Sequence, residues 1–391
     1  MKYFFSAGEA SGDLHASKVI EELKKIDPEA DVTFFGGDLM ARAAGKEPVV
    51  HYRDMAYMGF TEVIKHLPQI LGNMKRARKT ISELRPDAVV LVDYPGFNLK
   101  LAEYARSLGI KVFYYIAPKV WAWKEYRVKK LRKVTDRILS ILPFEKDWFA
   151  SRGVTVDYVG NPSVEEMDAS LAAMGDGEEF RARHGLDSRP ILALVPGSRK
   201  GEISCNLPVM DGVASLHPGL QPVVAAAPGI DPDFYKGLTS FPVVGGTTLE
   251  LMAHADVALV TSGTASLECA LAGTPQVVCY RSVGWKFAHD LFMHILKIPY
   301  VSLPNLVAGR IDAESRRHEN SKGPDQARGL IIPEMLVHHC NVDEVNRELV
   351  KILPGSEGAQ SQREGYRLMR SRLMTDSSAA ANAAKIICQS I

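Results

Sequence analysis

Residues 257–272, VALVTSGTASLECALA, restrict the fold more than any other stretch of this chain. Ala258, Leu259, Val260 and Thr261 make a short apolar and β-branched run, the pattern of a buried strand. Ser262, Gly263 and Thr264 then turn the chain into an amphipathic helix whose inward positions include Leu267, Ala270 and Leu271. Such a turn aims unpaired backbone N–H groups and the positive end of a helix dipole at one point, which suits a phosphate or diphosphate. Glu268, one turn further in, has the reach for the vicinal hydroxyls of a ribose. A tight connection capped by Ser or Thr fits the same residues, and both readings stay open at this stage.

The unit recurs. Short apolar strands are expected at 3–6, 32–35, 88–92, 111–116, 137–142, 157–159, 191–195, 223–226, 241–244 and 276–280, with helices between them. A chain of 391 residues is too long for one core. Two α/β domains are expected, at 1–165 and 166–355, with a helical segment at 356–391. The polar stretch 160–185 reads as the linker, and 362–387 as one long amphipathic helical region. Residues 311–330, rich in Gly, Pro and charge, read as a loop.

Three β-α turns carry candidate chemistry. The first, Ala7-Gly8-Glu9-Ala10-Ser11-Gly12-Asp13, lacks the G-x-G-x-x-G spacing and holds two carboxylates that would repel a pyrophosphate. It reads as a holder of sugar hydroxyls through Glu9, Ser11 and Asp13, or as a helix cap. Asp93 stands at the carboxyl end of the strand 88–92, where ligands collect in open α/β sheets. It suits a general base, or a cap for the next helix. In Pro196-Gly197-Ser198-Arg199 the guanidinium can fork onto a phosphate oxygen, a second anion site. Tyr280 closes the strand 276–280, and Asn305 lies near the same edge. Asp231-Pro232-Asp233 resembles a metal-binding D-x-D, but Asp at an N-cap with Pro at N1 explains it more simply.

A net charge of +1 with 24% charged residues predicts no global attraction to nucleic acid. Five scattered cysteines without a C-x-x-C pair read as reduced thiols. No run approaches the roughly 18 apolar residues of a spanning helix, so membrane contact is expected to be peripheral. Two stretches suit it. Met55, Tyr57, Met58 and Phe60 precede a helix bearing Val63, Ile64, Leu67, Ile70, Leu71 and Met74, kinked or broken at Pro68, with Lys75, Arg76, Arg78 and Lys79 next. This is either a face for an anionic surface or acyl chains, or an ordinary core-facing helix. From 119 to 137 eight Lys or Arg oppose only Glu125 and Asp136, beside Trp121 and Trp123. That fits phosphate-bearing amphiphiles, or a solvated face over packed indoles.

Collinear motifs narrow the reading: the 7–13 loop, Met58-Gly59, Asp93-x-Pro-x-Phe-Asn98, Pro118-x-Val-Trp-Ala-Trp123, Leu142-Pro-Phe-Glu145, Pro196-Gly-Ser-Arg199, Ser262-Gly-Thr-Ala-x-Leu-Glu268 and Val301-Ser-Leu-Pro-Asn-Leu306. With them the chain resembles the lipid-A-disaccharide synthase family over nearly its whole length. The resemblance implies a GT-B fold, two Rossmann-like α/β domains facing across a cleft. It implies transfer, with inversion, of 2,3-diacylglucosamine from UDP onto 2,3-diacylglucosamine 1-phosphate in lipid A biosynthesis. Asp93 would be the base; Arg199, Ser262, Gly263, Thr264, Glu268, Tyr280 and Asn305 would hold UDP; Glu9, Ser11 and Met58 would face the acceptor sugar. No metal or other cofactor is expected. The protein would be cytoplasmic and peripheral on the inner membrane of a Gram-negative-type bacterium, and pairing through the C-terminal segment would make a homodimer. A UDP-sugar epimerase shares the two-sheet plan and a similar phosphate turn followed by Glu. A non-enzymatic membrane module would bind UDP and vesicles without forming product.

Overall fold

The computed structural model describes residues 1–55, 66–122, 125–281, 300–309 and 330–391. They form two compact units, Met1–Pro162 with Met374–Ile391, and Ser163–Leu373.

The first unit is built on β1 (Lys2–Ala7), β2 (Asp31–Gly36), β3 (Val50–His51), β4 (Ala88–Val92), β5 (Lys111–Tyr115), β6 (Arg137–Ser140) and β7 (Asp157–Tyr158). Among the described residues they make one parallel sheet in the order β3-β2-β1-β4-β5-β6-β7. β4 is buried along its whole length, as apolar runs without alternation require when both sheet faces are covered. The helix Ala10–Ile26 lays Ala16, Val19, Ile20 and Leu23 on one face. The closing helix Ala379–Ser390 adds Ala380, Ala383, Ala384 and Ile387 to the same core. Strand order reverses between β1 and β4, so their carboxyl ends open the crevice at which such sheets bind ligands.

The second unit repeats the plan with β8 (Ile191–Val195), β9 (Gln221–Ala226), β10 (Val243–Gly245), β11 (Val257–Thr261), β12 (Gln276–Tyr280) and β13 (Glu334–Leu336). The order is β10-β9-β8-β11-β12-β13, all parallel. Its reversal lies between β8 and β11, the strands that carry the Pro196–Arg199 and Ser262–Thr264 turns at their ends.

Several expectations change. The polar stretch read as a linker holds two helices, Pro162–Ala172 and Gly177–His184, the second capped by Asp176, which accepts the Glu179 N–H at 2.8 Å. The C-terminal region is two helices instead of one, Glu357–Leu373 in the second unit and Ala379–Ser390 in the first. Thr375, Asp376, Ser377 and Ser378 interrupt it, Ser378 capping the last helix by accepting the Ala381 N–H. Tyr366 and Met369 of the first helix and Ala383 and Ile387 of the second are buried within the chain's own units, while Leu368 and Met374 are exposed. Pro68 sits in the first turn of the helix Leu67–Leu84, where no N–H is needed, so among the described residues the helical pattern begins at this proline. Residues 56–65, which include Met58, Val63 and Ile64, lie outside the described residues, as do Trp123 and most of the 311–330 stretch. Asp231 caps the short turn Pro232–Phe234 by accepting the Asp233 N–H at 2.9 Å, the simpler of its two readings. All five cysteines are free thiols.

Candidate active site

At the reversal point of the first sheet, Asp93 and Tyr94 both adopt left-handed backbone, with φ of 43° and 47°. Such a conformation costs a non-glycine residue on the order of 1 kcal/mol and persists only where neighbours hold it. Here the Asp93 N–H donates to the Tyr115 carbonyl at 3.0 Å. The Tyr114 hydroxyl and the Asn98 amide donate to the Asp93 carbonyl at 2.6 and 2.9 Å. Asn98, fully buried, also accepts the Ser6 hydroxyl at 2.8 Å and so ties the end of β1 to the end of β4. Gly8 belongs to the same arrangement, because a Cβ there would meet the Tyr94 ring at 2.4 Å.

The Asp93 carboxyl is largely buried, and this raises its pKa to about 6; the negative charge of Glu9 adds to the rise, while Lys119, the Tyr94 N–H and His15 oppose it. That places a proton acceptor near the working range of a general base. The helix Pro95–Ser107 takes its cap position at Tyr94 and has no side-chain cap, so the capping reading of Asp93 falls. Glu9 and Ser11 lie at the same crevice, Ser11 donating to a Glu9 carboxylate oxygen at 2.9 Å. Asp13 does not. It is 2% exposed and accepts the N–H groups of Gly37, Leu39 and Met40, capping the helix Asp38–Ala44. Met58 falls outside the described residues.

Glu145, to which sequence reasoning assigned no role, is buried beside this crevice. It accepts the Trp121 indole N–H at 2.7 Å and the Ser140 hydroxyl, and burial lifts its pKa to about 7. The signal was its place in the Leu142-Pro-Phe-Glu145 motif. Trp121 itself is buried against Phe144, so the packed-indole reading of this tryptophan is the right one.

In the second unit Gly263 has φ 126° and ψ −149°, a region closed to side chains, and is the cap position of the helix Thr264–Ala272. Ser262 donates its hydroxyl to the Val301 carbonyl at 3.0 Å, and buried Ser266 returns its hydroxyl to the Gly263 carbonyl at 2.7 Å. No side chain caps this helix, so the cap reading fails. Glu268 is mostly buried, and burial with the nearby charge of Glu166 pushes its pKa above the ordinary carboxylate range. On the other side of the reversal, Arg199 is exposed and pairs with Glu202 at 3.1 Å. Glu202 also accepts the Ser198 N–H at 3.0 Å. Tyr280 is half-buried; its phenol is raised by burial and by Glu202, and lowered by Arg199, which groups these three side chains. Asn206 was missed by sequence reasoning: it donates to the Pro196 carbonyl at 3.0 Å and accepts the Arg281 N–H at 2.8 Å, joining the ends of β8 and β12.

Asn305 is a correction. It is fully buried, and both halves of its amide are used: Nδ2 donates to the Ile332 carbonyl and to Glu334, and Oδ1 accepts the N–H groups of Ile331 and Ile332. Its side chain has no hydrogen-bonding capacity left for a nucleotide. Among the described residues no group of three or more His, Cys, Asp or Glu is placed to hold a metal, and no helix is long and apolar enough to cross a membrane.

The family profile described as lipid-A-disaccharide synthetase matches residues 3–327. The lipid-A-disaccharide synthase of Myxococcus xanthus is 37% identical over 98% of this chain and 96% of its own length. That of Solibacter usitatus is 33% identical over 99% of this chain and 96% of its own. Among solved structures, the UDP-GlcNAc 2-epimerase of Neisseria meningitidis bound to UDP-GlcNAc aligns with a TM-score of 0.61 at 13% identity, covering 100% of this chain and 99% of that one. The calicheamicin glycosyltransferase CalG4 aligns with a TM-score of 0.55 at 15% identity, over 99% and 97%. At such identities both support the shared two-sheet GT-B fold alone.

Proposed function

The chain belongs to the lipid-A-disaccharide synthase family, and from that premise we propose how its residues divide the reaction. As a member it is a glycosyltransferase of lipid A biosynthesis: it transfers 2,3-diacylglucosamine from its UDP carrier to 2,3-diacylglucosamine 1-phosphate, releasing UDP. The epimerase alternative rests only on fold likeness at 13% identity.

Inversion in one displacement needs a base at the acceptor hydroxyl and a grip on the departing diphosphate. Asp93 takes the proton of the acceptor's primary hydroxyl while the anomeric carbon of the donor gains oxocarbenium character. The observation that carries this role is a carboxyl lifted to about 6 at the crevice between β1 and β4. Glu9 and Ser11 accept and donate hydrogen bonds to sugar hydroxyls there, and the role of Met58 against the sugar rests on the motif alone. In the second unit the backbone N–H groups of Gly263 and Thr264, with Arg199, take the charge growing on UDP, while Glu268 accepts from the ribose hydroxyls and Tyr280 lines the nucleotide. Arg199 must first leave Glu202, a cost an exposed pair keeps small. This grip supplies the stabilisation a metal would otherwise give, so activity is expected to survive EDTA.

For membrane contact the support is the start of the helix Leu67–Leu84, where Leu67 and Leu71 are exposed beside exposed Lys75, Arg76, Arg78 and Lys79, while Met74, Ala77 and Ile81 face inward. That combination supports peripheral attachment at an anionic membrane surface, which for this reaction we infer to be the cytoplasmic face of the inner membrane. Incubating the purified protein with both lipid substrates and weighing the lipid product tests the reading; wild-type protein that makes no disaccharide overturns it.

A further inference from the structure

One lysine beside the crevice has no part in the reaction above. Lys119 lies on the loop after β5, and β5 pairs directly with β4 in the register Val92↔Tyr115. The loop is anchored on both sides. The Ile116 N–H donates to the Leu139 carbonyl at 3.0 Å, with Ile116 itself in left-handed backbone. Trp121, two residues beyond Lys119, is fixed by Glu145 at 2.7 Å. Lys119 is exposed between these anchors, and among the described residues it has neither an ion-pair partner nor a side-chain hydrogen bond. Its ammonium is nevertheless close enough to act on two buried carboxyls, Asp93 and Glu145, lowering the proton affinity of each. A cation so placed, and unspent on either carboxylate, is available to an incoming anion.

The acceptor supplies one. It presents its primary hydroxyl to Asp93, and its only ionised group is a phosphate at the other end of the same hexose ring. Whatever receives that phosphate must therefore lie within a ring's width of Asp93. The charges facing Asp93 are Glu9 and His15 from the β1 side and Lys119 from the β5 side, with Tyr114 beneath; Arg127 acts on Tyr114. Of the two cations that act on Asp93, His15 and Lys119, Lys119 has the long flexible stem that can follow a phosphate.

We propose that Lys119 is the specificity-determining residue for the phosphate of the acceptor, selecting a sugar 1-phosphate over the same sugar without it. This rests on the glycosyl-transfer reading above. One consequence extends to Asp93: with Lys119 neutralised, the base would hold its proton to higher pH.

The test compares wild type, Lys119→Met and Lys119→Arg on 2,3-diacylglucosamine 1-phosphate and on the same lipid lacking phosphate. Expected is a rise of about tenfold in KM for the phosphorylated acceptor in Lys119→Met, the scale of one charge-assisted contact, with donor KM unchanged. The preference for the phosphorylated acceptor should collapse, Lys119→Arg should keep most of it, and the acid limb of the Lys119→Met pH profile should move up. Undiminished preference in Lys119→Met overturns the proposal. Binding of the phosphorylated acceptor, followed by tryptophan fluorescence without donor, decides the point even if wild type makes no disaccharide. A loss of about tenfold in Lys119→Met supports the role of Lys119, and equal binding overturns it, while the missing product counts only against the reaction.

Discussion

Trp121 donates its indole N–H to a Glu145 carboxylate oxygen at 2.7 Å, and both side chains are buried, so the loop after β5 is held to the helix after β6 by one bond to an acid with a second partner in Ser140. Truncating Glu145 to Ala would leave the indole N–H and the Ser140 hydroxyl without this acceptor, in a site closed to water. A loss of about 2–4 kcal/mol is expected, read as a lower denaturant midpoint.

The same carboxyl sets a pH dependence. Its pKa is about 7 in the folded chain against 4.5 ordinarily. The folded state therefore binds the proton more tightly than the unfolded one. The stability it contributes is complete below the ordinary value and is lost as pH rises through about 7. Glu145→Gln removes that titration, so its unfolding free energy should vary less with pH across the window than wild type's. Identical slopes would show that Glu145 keeps an ordinary affinity for protons.

Asp93 leads to a kinetic prediction of opposite form. A base must be ionised to work, so kcat/KM should climb as pH rises through about 6 and level above it. Asp93→Asn should lower kcat by roughly 10²–10⁴-fold while UDP affinity, measured by calorimetry, stays at the wild-type value. A variant that keeps most of its turnover would remove Asp93 from the chemistry.

The parallel sheets were legible because unalternating runs such as Ala88–Val92 and Ile191–Val195 have few other uses in a chain of this composition. The candidate turns were legible because they follow those runs directly. What eluded sequence reasoning was which side chains are spent within the fold. Glu9 precedes the helix Ala10–Ile26 and Asp13 lies in its first turn, yet Asp13 closes another helix start 24 or more residues away. Asn305 stands in a motif that suggested ligand contact, and its amide is consumed by strands and turns distant in sequence. Polar partners of this kind are set by tertiary contact, which local periodicity does not encode. The two C-terminal helices merged for a related reason, since an amphipathic repeat continues across a break made by capping residues.

For Asn305 the consequence is a separation of effects. Asn305→Ala strips two N–H groups, a carbonyl and Glu334 of a partner, so a stability loss of roughly 2–4 kcal/mol is expected. Well below its melting temperature the variant should bind UDP as wild type does. Glu268→Ala should do the reverse, melting near wild type while UDP affinity falls by about tenfold or more.

Gly263 allows the amide grip to be tested apart from any side chain. At φ 126° a Cβ is strained even though nothing lies within 4 Å of where it would sit, so Gly263→Ala meets backbone strain and no collision. Relief of that strain, on the order of 1–3 kcal/mol, must come from rotating the turn, and the N–H groups of Gly263 and Thr264 rotate with it. Gly273, at the other end of the same helix, has φ 85° and equally open surroundings. Gly273→Ala carries left-handed strain on the order of 1 kcal/mol far from the amides. Both variants should lose stability in denaturant, Gly263→Ala the more, but only Gly263→Ala should also weaken UDP binding, by about tenfold or more. Equal UDP affinity in the two would mean that the helix start at Thr264 does not hold the diphosphate.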